Sequence, residues 1–76
     1  MVRAFIMVKT AAGRSATLRE QIEEMEEILE AHVVAREYDI IVEAMGEEVY
    51  EVIHTVATDL TSLDGVVDTR TYICLE

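Results

Sequence analysis

The chain has 76 residues, of which 51% are hydrophobic, and it carries a formal net charge of −10. Such an acidic balance disfavours direct binding to nucleic acid or to an anionic membrane surface. The single cysteine, Cys74, excludes an internal disulfide, and no residues have metal-ligand spacing, so we predict neither a metal nor a cofactor. One domain over residues 1–76 is expected, and because a core this small is only marginally stabilising, the excess of apolar residues predicts self-association.

The first third of the chain predicts a strand followed by a helix. Residues 2–9 are rich in β-forming side chains and are apolar on both faces, which is typical of a strand covered on both sides. Apolar residues at helical spacing then predict a helix that runs to about Glu27. Thr17 and Glu20 fit a capping box at its start, with Ser15 as the competing cap. A glutamate cluster forms its other face, which we interpret as solvated surface.

The rest of the chain predicts two more strands, a second helix and a last strand. Residues 28–36 alternate between apolar and polar side chains, as in a strand with one polar face. A short connection at residues 37–38 leads into a third strand over residues 40–45, and so short a link requires an antiparallel hairpin. An apolar stripe predicts a helix over residues 49–63, and β-branched enrichment predicts a strand over residues 66–75.

This order of elements, β-α-β-β-α-β, predicts a ferredoxin-like α+β fold with a four-stranded antiparallel sheet and both helices on one face. The other sheet face would carry Phe5, Met7, Val34 and Ile41, with Tyr72 as a further candidate. An exposed apolar patch of that size needs a partner. We expect a second copy to cover it, giving a homodimer of the α+β barrel type.

Catalysis is not predicted, because no paired groups of the kind that a catalytic site needs are evident. His54 is interpreted as a partly exposed helix residue and His32 as part of the polar face of the second strand. Cys74 is interpreted as a small buried hydrophobe. His32 and Cys74 could meet across the sheet, and a small dimeric ferredoxin-like enzyme is the less favoured alternative.

Two polar segments adjoin apolar strands, one at the predicted hairpin and one in the last strand. With their flanking residues they resemble the ligand-binding and oligomerisation domain, or RAM domain, of the Lrp/AsnC (leucine-responsive) transcription regulators. The resemblance covers nearly the whole chain. It is carried by Ala4-Phe5-Ile6-Met7-Val8, by Val33-Val34 with Glu37-Tyr38-Asp39-Ile40-Ile41-Val42, and by Leu60-Thr61-Ser62-Leu63-Asp64-Gly65-Val66-Val67-Asp68-Thr69-Arg70-Thr71.

The resemblance implies that dimers assemble into a ring, such as an octamer, and that free amino acids bind where dimers meet. Effector contacts are expected from Arg36, Tyr38, Asp39, Thr69 and Thr71, with Asp39 suited to an α-amino group. The family pattern usually has glycine three residues before the hairpin aspartate, where this chain has Arg36. Its guanidinium could hold the ligand carboxylate or close the site, and closure would leave a purely structural assembly domain.

Family members usually carry a DNA-binding helix-turn-helix ahead of this domain, whereas the first strand predicted here starts at Val2. The resemblance therefore implies a stand-alone form that modulates full-length Lrp/AsnC-type regulators by mixed assembly. With no visible signal peptide and no run long enough to span a bilayer, we expect a cytoplasmic protein. The acidic, lysine-poor composition resembles that of proteins from salt-loving archaea.

Overall fold

Four antiparallel strands form one layer, and two helical segments form the second. The computed structural model describes residues 1–75. Strand order in the sheet is β2-β3-β1-β4, which confirms the predicted ferredoxin-like α+β fold. The elements are β1 (Val2–Thr10), α1 (Ser15–Glu23), β2 (Ile28–Val33), β3 (Ile40–Gly46), α2 (residues 49–61, with α-helical turns at Val49–Glu51 and Ala57–Thr61 around a π-helical stretch at Val52–Val56) and β4 (Val66–Ile73).

The core lies between the helices and one face of the sheet. Ile6 of β1 pairs with Val42 of β3 on one side and with Thr71 of β4 on the other. Because side chains alternate along a strand, this register turns every second residue of β1 and β3 toward the helices. Among the residues that the structure describes, no polar or charged one is buried. The buried core residues of β1, β3 and the helices include Ala4, Ile6, Val8, Ile40, Val42, Ala44, Leu18, Ile22, Val56 and Leu60.

The opposite sheet face, here called the open face, is covered by neither helix. One row of paired residues crosses all four strands of this face, from His32 through Ile41 and Met7 to Arg70. The next row includes Phe5 and Tyr72, and Tyr72 is 55% exposed. The register thus brings together most of the apolar residues that the sequence indicated for a helix-free face.

Helix α1 differs from its prediction at both ends. The predicted end at about Glu27 is wrong, because the helix stops at Glu23 and residues 24–27 form a turn. The carbonyl of Glu27 accepts a hydrogen bond from the Met45 amide at 2.9 Å, which ties this turn to β3 instead of to the helix. The predicted capping box is also wrong, since the helix begins at Ser15 and Thr17 lies inside its first turn.

The second strand is shorter than predicted. It ends at Val33 and not at Arg36, because the Val34 amide donates to the Asp39 carbonyl at 2.8 Å and the intervening residues leave the ladder. The hairpin connection is therefore six residues long, over residues 34–39, and not two. Within residues 1–75, no helix combines the length and the apolar character needed to cross a membrane.

Candidate functional site

The hairpin connection over residues 34–39, here called the corner, is held to the sheet by backbone hydrogen bonds. Besides the Val34–Asp39 bond, the Asp39 amide donates to the carbonyl of Val8 at 2.9 Å. Asp39 thus joins the end of β2 to β1, although β3 lies between these strands in the sheet. Most other backbone groups of the corner take no part in the hydrogen bonds between the strands. Such a loop on a rigid sheet is suited to positioning side chains.

The Asp39 carboxylate reinforces this link. Its Oδ2 accepts hydrogen bonds from the Thr10 amide at 2.8 Å and from the Thr10 hydroxyl at 3.3 Å. Bonds to an ionised acceptor are stronger than those between neutral groups. The carboxylate that was predicted to hold an effector's amino group therefore already fastens the end of β1 to the corner.

A cavity of about 360 Å³ opens beside the corner on the open face. Its volume falls in the range of small-molecule sites. Two of its lining residues are apolar side chains of β1 and β3, and the other five come from the corner itself. The lining consists of Met7, Val34, Ala35, Arg36, Glu37, Tyr38 and Ile41.

The structure brings together only part of the predicted effector set. Arg36 and Tyr38 line the cavity. Thr69 pairs with Val8 and Thr71 with Ile6, so both threonines project from the helix-covered face of β4 and not from the open face. Within one chain these threonines and the cavity therefore lie on opposite faces of the sheet.

Arg36 occupies an unusual backbone conformation, with φ of 155°. Side chains other than glycine rarely adopt such positive values, which are strained by about 1–3 kcal/mol in typical cases. The resemblance described above places glycine at this position. The corner thus combines a backbone angle that favours glycine with a guanidinium at the rim of the cavity.

Lys9 lies near the cavity, where the sequence did not predict it. Its ammonium donates to the carbonyl of Glu37 at 3.4 Å, and Glu37, which belongs to the polar segment at the predicted hairpin, lines the cavity. Lys9 lies 28 positions before Glu37, so only the register between β1 and the hairpin could have placed them together. Sequence spacing carries no signal of that kind.

The histidines and the cysteine do not form a shared site. His32 lies in β2 and Cys74 follows β4, at opposite edges of the sheet, so the suggested contact between them is wrong. His32 is exposed beside Glu30, and the His54 ring stacks on Tyr50 with centroids 5.2 Å apart. Cys74 is half-buried instead of buried. In residues 1–75, no three His, Cys, Asp or Glu side chains are grouped as a metal site would require.

Several solved structures match nearly the full chain, and two of them are 32% identical to it. A hypothetical protein, PHS023 from Pyrococcus horikoshii, is 32% identical with a TM-score of 0.89, and the match covers 100% of this chain and 92% of that one. The protein FFRP-DM1 is also 32% identical, with a TM-score of 0.91 and coverage of 99% and 100% respectively. A comparison with curated protein sequences finds no match.

A longer relative shares the fold over half its length. The transcriptional regulator NMB0573 from Neisseria meningitidis, solved as a complex with L-Met, has a TM-score of 0.82 at 23% identity, and the match covers 99% of this chain and 50% of that one. Residues 3–76 match the family described as the Lrp/AsnC ligand binding domain. The chain belongs to this family of regulatory ligand-binding domains, as the resemblance in its sequence predicted.

Replacing Asp39 by alanine should destabilise the fold. The Thr10 amide would lose its acceptor in a half-buried position, and the expected decrease in the free energy of unfolding is about 1–3 kcal/mol. Urea denaturation followed by circular dichroism measures this change. Asp59→Ala, which removes an exposed helical carboxylate, is the matched control and should change stability by less than about 0.5 kcal/mol. Equal effects of the two substitutions would contradict a structural role for Asp39.

Replacing Arg36 by glycine should stabilise the fold. Glycine adopts positive φ without a Cβ clash, so relief of strain should raise the free energy of unfolding by about 1 kcal/mol after its larger unfolded-state entropy is subtracted. Arg36→Ala is the control, because it removes the guanidinium but keeps a Cβ. Thermal unfolding in which alanine stabilises as much as glycine would attribute the gain to charge instead of to the backbone.

Proposed function

We propose that this protein is a non-enzymatic regulatory module that assembles through its open face and binds a small effector of the amino-acid type at the corner. The observation that carries this proposal is the cavity beside the corner, which continues directly into the uncovered open face. Met7 and Ile41 belong to both surfaces. Assembly would therefore enclose the cavity, and a ligand bound in the cavity would affect assembly.

The composition of the open face supports contact with a second copy. Apolar residues dominate its centre, and its most central carboxylate, Glu43, is only 19% exposed and already pairs with Arg3 at 2.9 Å. Burying an unpaired charge would oppose association, whereas a charge paired within its own chain opposes it less. A two-fold contact would place the same patch on both sides, with Phe5, Met7, Val34 and Ile41 as the proposed dimer contacts.

The proposed effector site combines the corner with a neighbouring copy. Arg36, Tyr38 and Asp39 would come from one chain. Thr69 and Thr71 would come from another, in a ring of dimers such as an octamer. This arrangement accounts for the separation of the threonines from the cavity within a single chain. Support for the effector class comes from the complex of the fold relative NMB0573 with L-Met.

The proposed partners are copies of this chain and full-length Lrp/AsnC-type regulators, with which it would form mixed assemblies in the cytoplasm. Regulation would then act on transcription without direct DNA contact, consistent with a net charge of −10. A purely structural role is the second candidate. It is favoured by the position of the Arg36 side chain, which lines the cavity and is long enough to fill part of it.

A charge placed in the open face should dissociate the assembly. Phe5→Glu would require burial of an unpaired carboxylate in the contact, so the variant should become monomeric at micromolar concentration. Light scattering coupled to size-exclusion chromatography measures the mass. Tyr50→Glu is the matched control, because Tyr50 is a 70% exposed aromatic on α2, outside the open face. A wild-type monomer, or dissociation by both variants, would contradict assembly through this face.

Effector binding should stabilise the assembled protein. Ligand at one hundred times its dissociation constant adds about 2.7 kcal/mol to the free energy of unfolding. Thermal unfolding and calorimetry with the common amino acids and related small carboxylates would detect it. If no compound in the panel shifts the transition of a protein shown to be assembled, the structural role is the correct one.

A further inference from the structure

Two carboxylates lie opposite each other on the open face, where β2 pairs with β3. Glu30 of β2 is the cross-strand partner of Glu43 of β3. Both belong to the row of the open face that also contains Phe5 and Tyr72. Like charges directly opposite each other in a sheet repel, and the repulsion grows as water is removed from around them. A repulsive pair therefore lies within the surface through which copies of the chain are proposed to assemble.

The two carboxylates have different partners. Glu43 accepts a hydrogen bond from the Arg3 guanidinium at 2.9 Å. The Glu30 side chain is 60% exposed, and in residues 1–75 no lysine or arginine lies within ion-pair distance of it. Its contact is with His32, whose Nε2 lies 3.4 Å from Glu30 Oε1. Glu43 thus has a permanently charged partner, whereas the partner of Glu30 is charged only when it is protonated.

The other charged groups around His32 do not change this balance. Arg70 lies in the same row of the open face but three strands away, roughly 14 Å at the usual strand spacing. On α1, which packs against β2, Arg19 and Glu23 pair with each other at 2.6 Å. Protonation of His32 therefore decides whether the charge of Glu30 is compensated. The charged residues that follow β2 in the corner have opposite signs and are Arg36 and Glu37.

The Glu30–His32 pair adjoins the proposed dimer contacts. Phe5 is paired with Glu43, and Ile41 is paired with His32. A second copy that covers Phe5 and Ile41 would therefore also cover Glu30 and His32, and a two-fold contact would bring the same pair from both copies. With His32 neutral, each copy would bring one uncompensated carboxylate into a surroundings of lower dielectric, which opposes association.

We propose that His32 makes assembly through the open face dependent on pH, because its protonation compensates the charge of Glu30. This inference rests on the proposed function and adds a regulatory input to it. Protonated His32 gains a carboxylate partner whose attraction strengthens when the contact excludes water. Assembly therefore takes up protons. It is strongest where histidine is charged, and it weakens as the pH rises through the range in which an imidazole loses its proton, about pH 5–8.

Sedimentation equilibrium of the full chain at about pH 6 and about pH 8, at constant ionic strength, tests this inference. The dissociation constant of the assembly should increase on the order of tenfold from the lower to the higher pH, because each copy releases a proton from His32 when it dissociates. If the assembly is too tight to dissociate on dilution, the rate of subunit exchange between tagged copies should increase with pH by a similar factor.

Four substitutions of exposed side chains separate the pair from the rest of the chain. His32→Gln should remove the change with pH and leave the assembly as weak as the wild type at about pH 8. His54→Gln is the matched control, because His54 lies on α2, outside the open face, and it should keep the full change. Glu30→Gln should strengthen the assembly at the higher pH about tenfold. Glu20→Gln, which alters the net charge equally but on α1, should strengthen it less than about twofold.

Each alternative result has a separate meaning. A dissociation constant that is the same at both pH values would overturn the inference and leave assembly through the open face standing. A change that persists in His32→Gln, or that disappears in His54→Gln, would overturn it as well. Equal strengthening by Glu30→Gln and Glu20→Gln would attribute the effect to net charge and would likewise overturn it. A wild-type monomer at both pH values would overturn the inference together with the proposed assembly.

Discussion

The pairing of β1 with both β3 and β4 is the constraint on which the rest of the structure depends. Ile6 meets Val42 and Thr71 in this register, so the side chains of β1 and β3 divide into one face buried under the helices and one left uncovered. A slip of one residue would exchange the two faces. Everything proposed about assembly follows from this division, because the open face exists only while the register holds.

The corner depends on the same register in a less direct way. Asp39 can form hydrogen bonds with Val8 and Thr10 only because the strand register fixes the position of β1 relative to the hairpin. These bonds hold the loop in a defined shape, and within that shape Arg36 has a backbone angle that glycine would adopt more easily. Backbone strain that persists at one residue is often found at functional sites. Here the strained residue, Arg36, lies at the rim of a cavity.

The charge distribution around the corner differs from that of the whole chain. The chain is strongly acidic, whereas at this end of the open face Lys9, Arg36 and Arg70 lie near three carboxylates, those of Glu37, Asp39 and Asp68. Repulsion by the negative net charge would slow the approach of any anion. At moderate ionic strength, salt largely screens this repulsion at distances beyond about 10 Å. Among the residues that line the cavity, Arg36 and Glu37 carry opposite charges. The net charge of the chain therefore does not describe the charge at the cavity.

Hydrophobic periodicity by itself determined the order of elements, the antiparallel sheet and the placement of both helices on one face. It did so because the apolar stripes of helices and strands can be buried together in only a few ways. The Tyr-Asp hairpin and the Leu-Asp-Gly-Val ending also indicated the family. Element boundaries were less accurate, as with Glu27, because they depended on hydrogen bonds between residues distant in sequence.

Only the tertiary structure decided what the polar residues do. Sequence placed Asp39, Thr69 and Thr71 in one expected site, but strand register sends the threonines to the helix-covered face and turns Asp39 toward Thr10. It also brings Arg70 beside Met7. The physical reason is that hydrophobic periodicity indicates only which side of its own helix or strand a residue occupies. A binding site combines residues from different elements, and strand pairing sets the positions of those elements relative to one another.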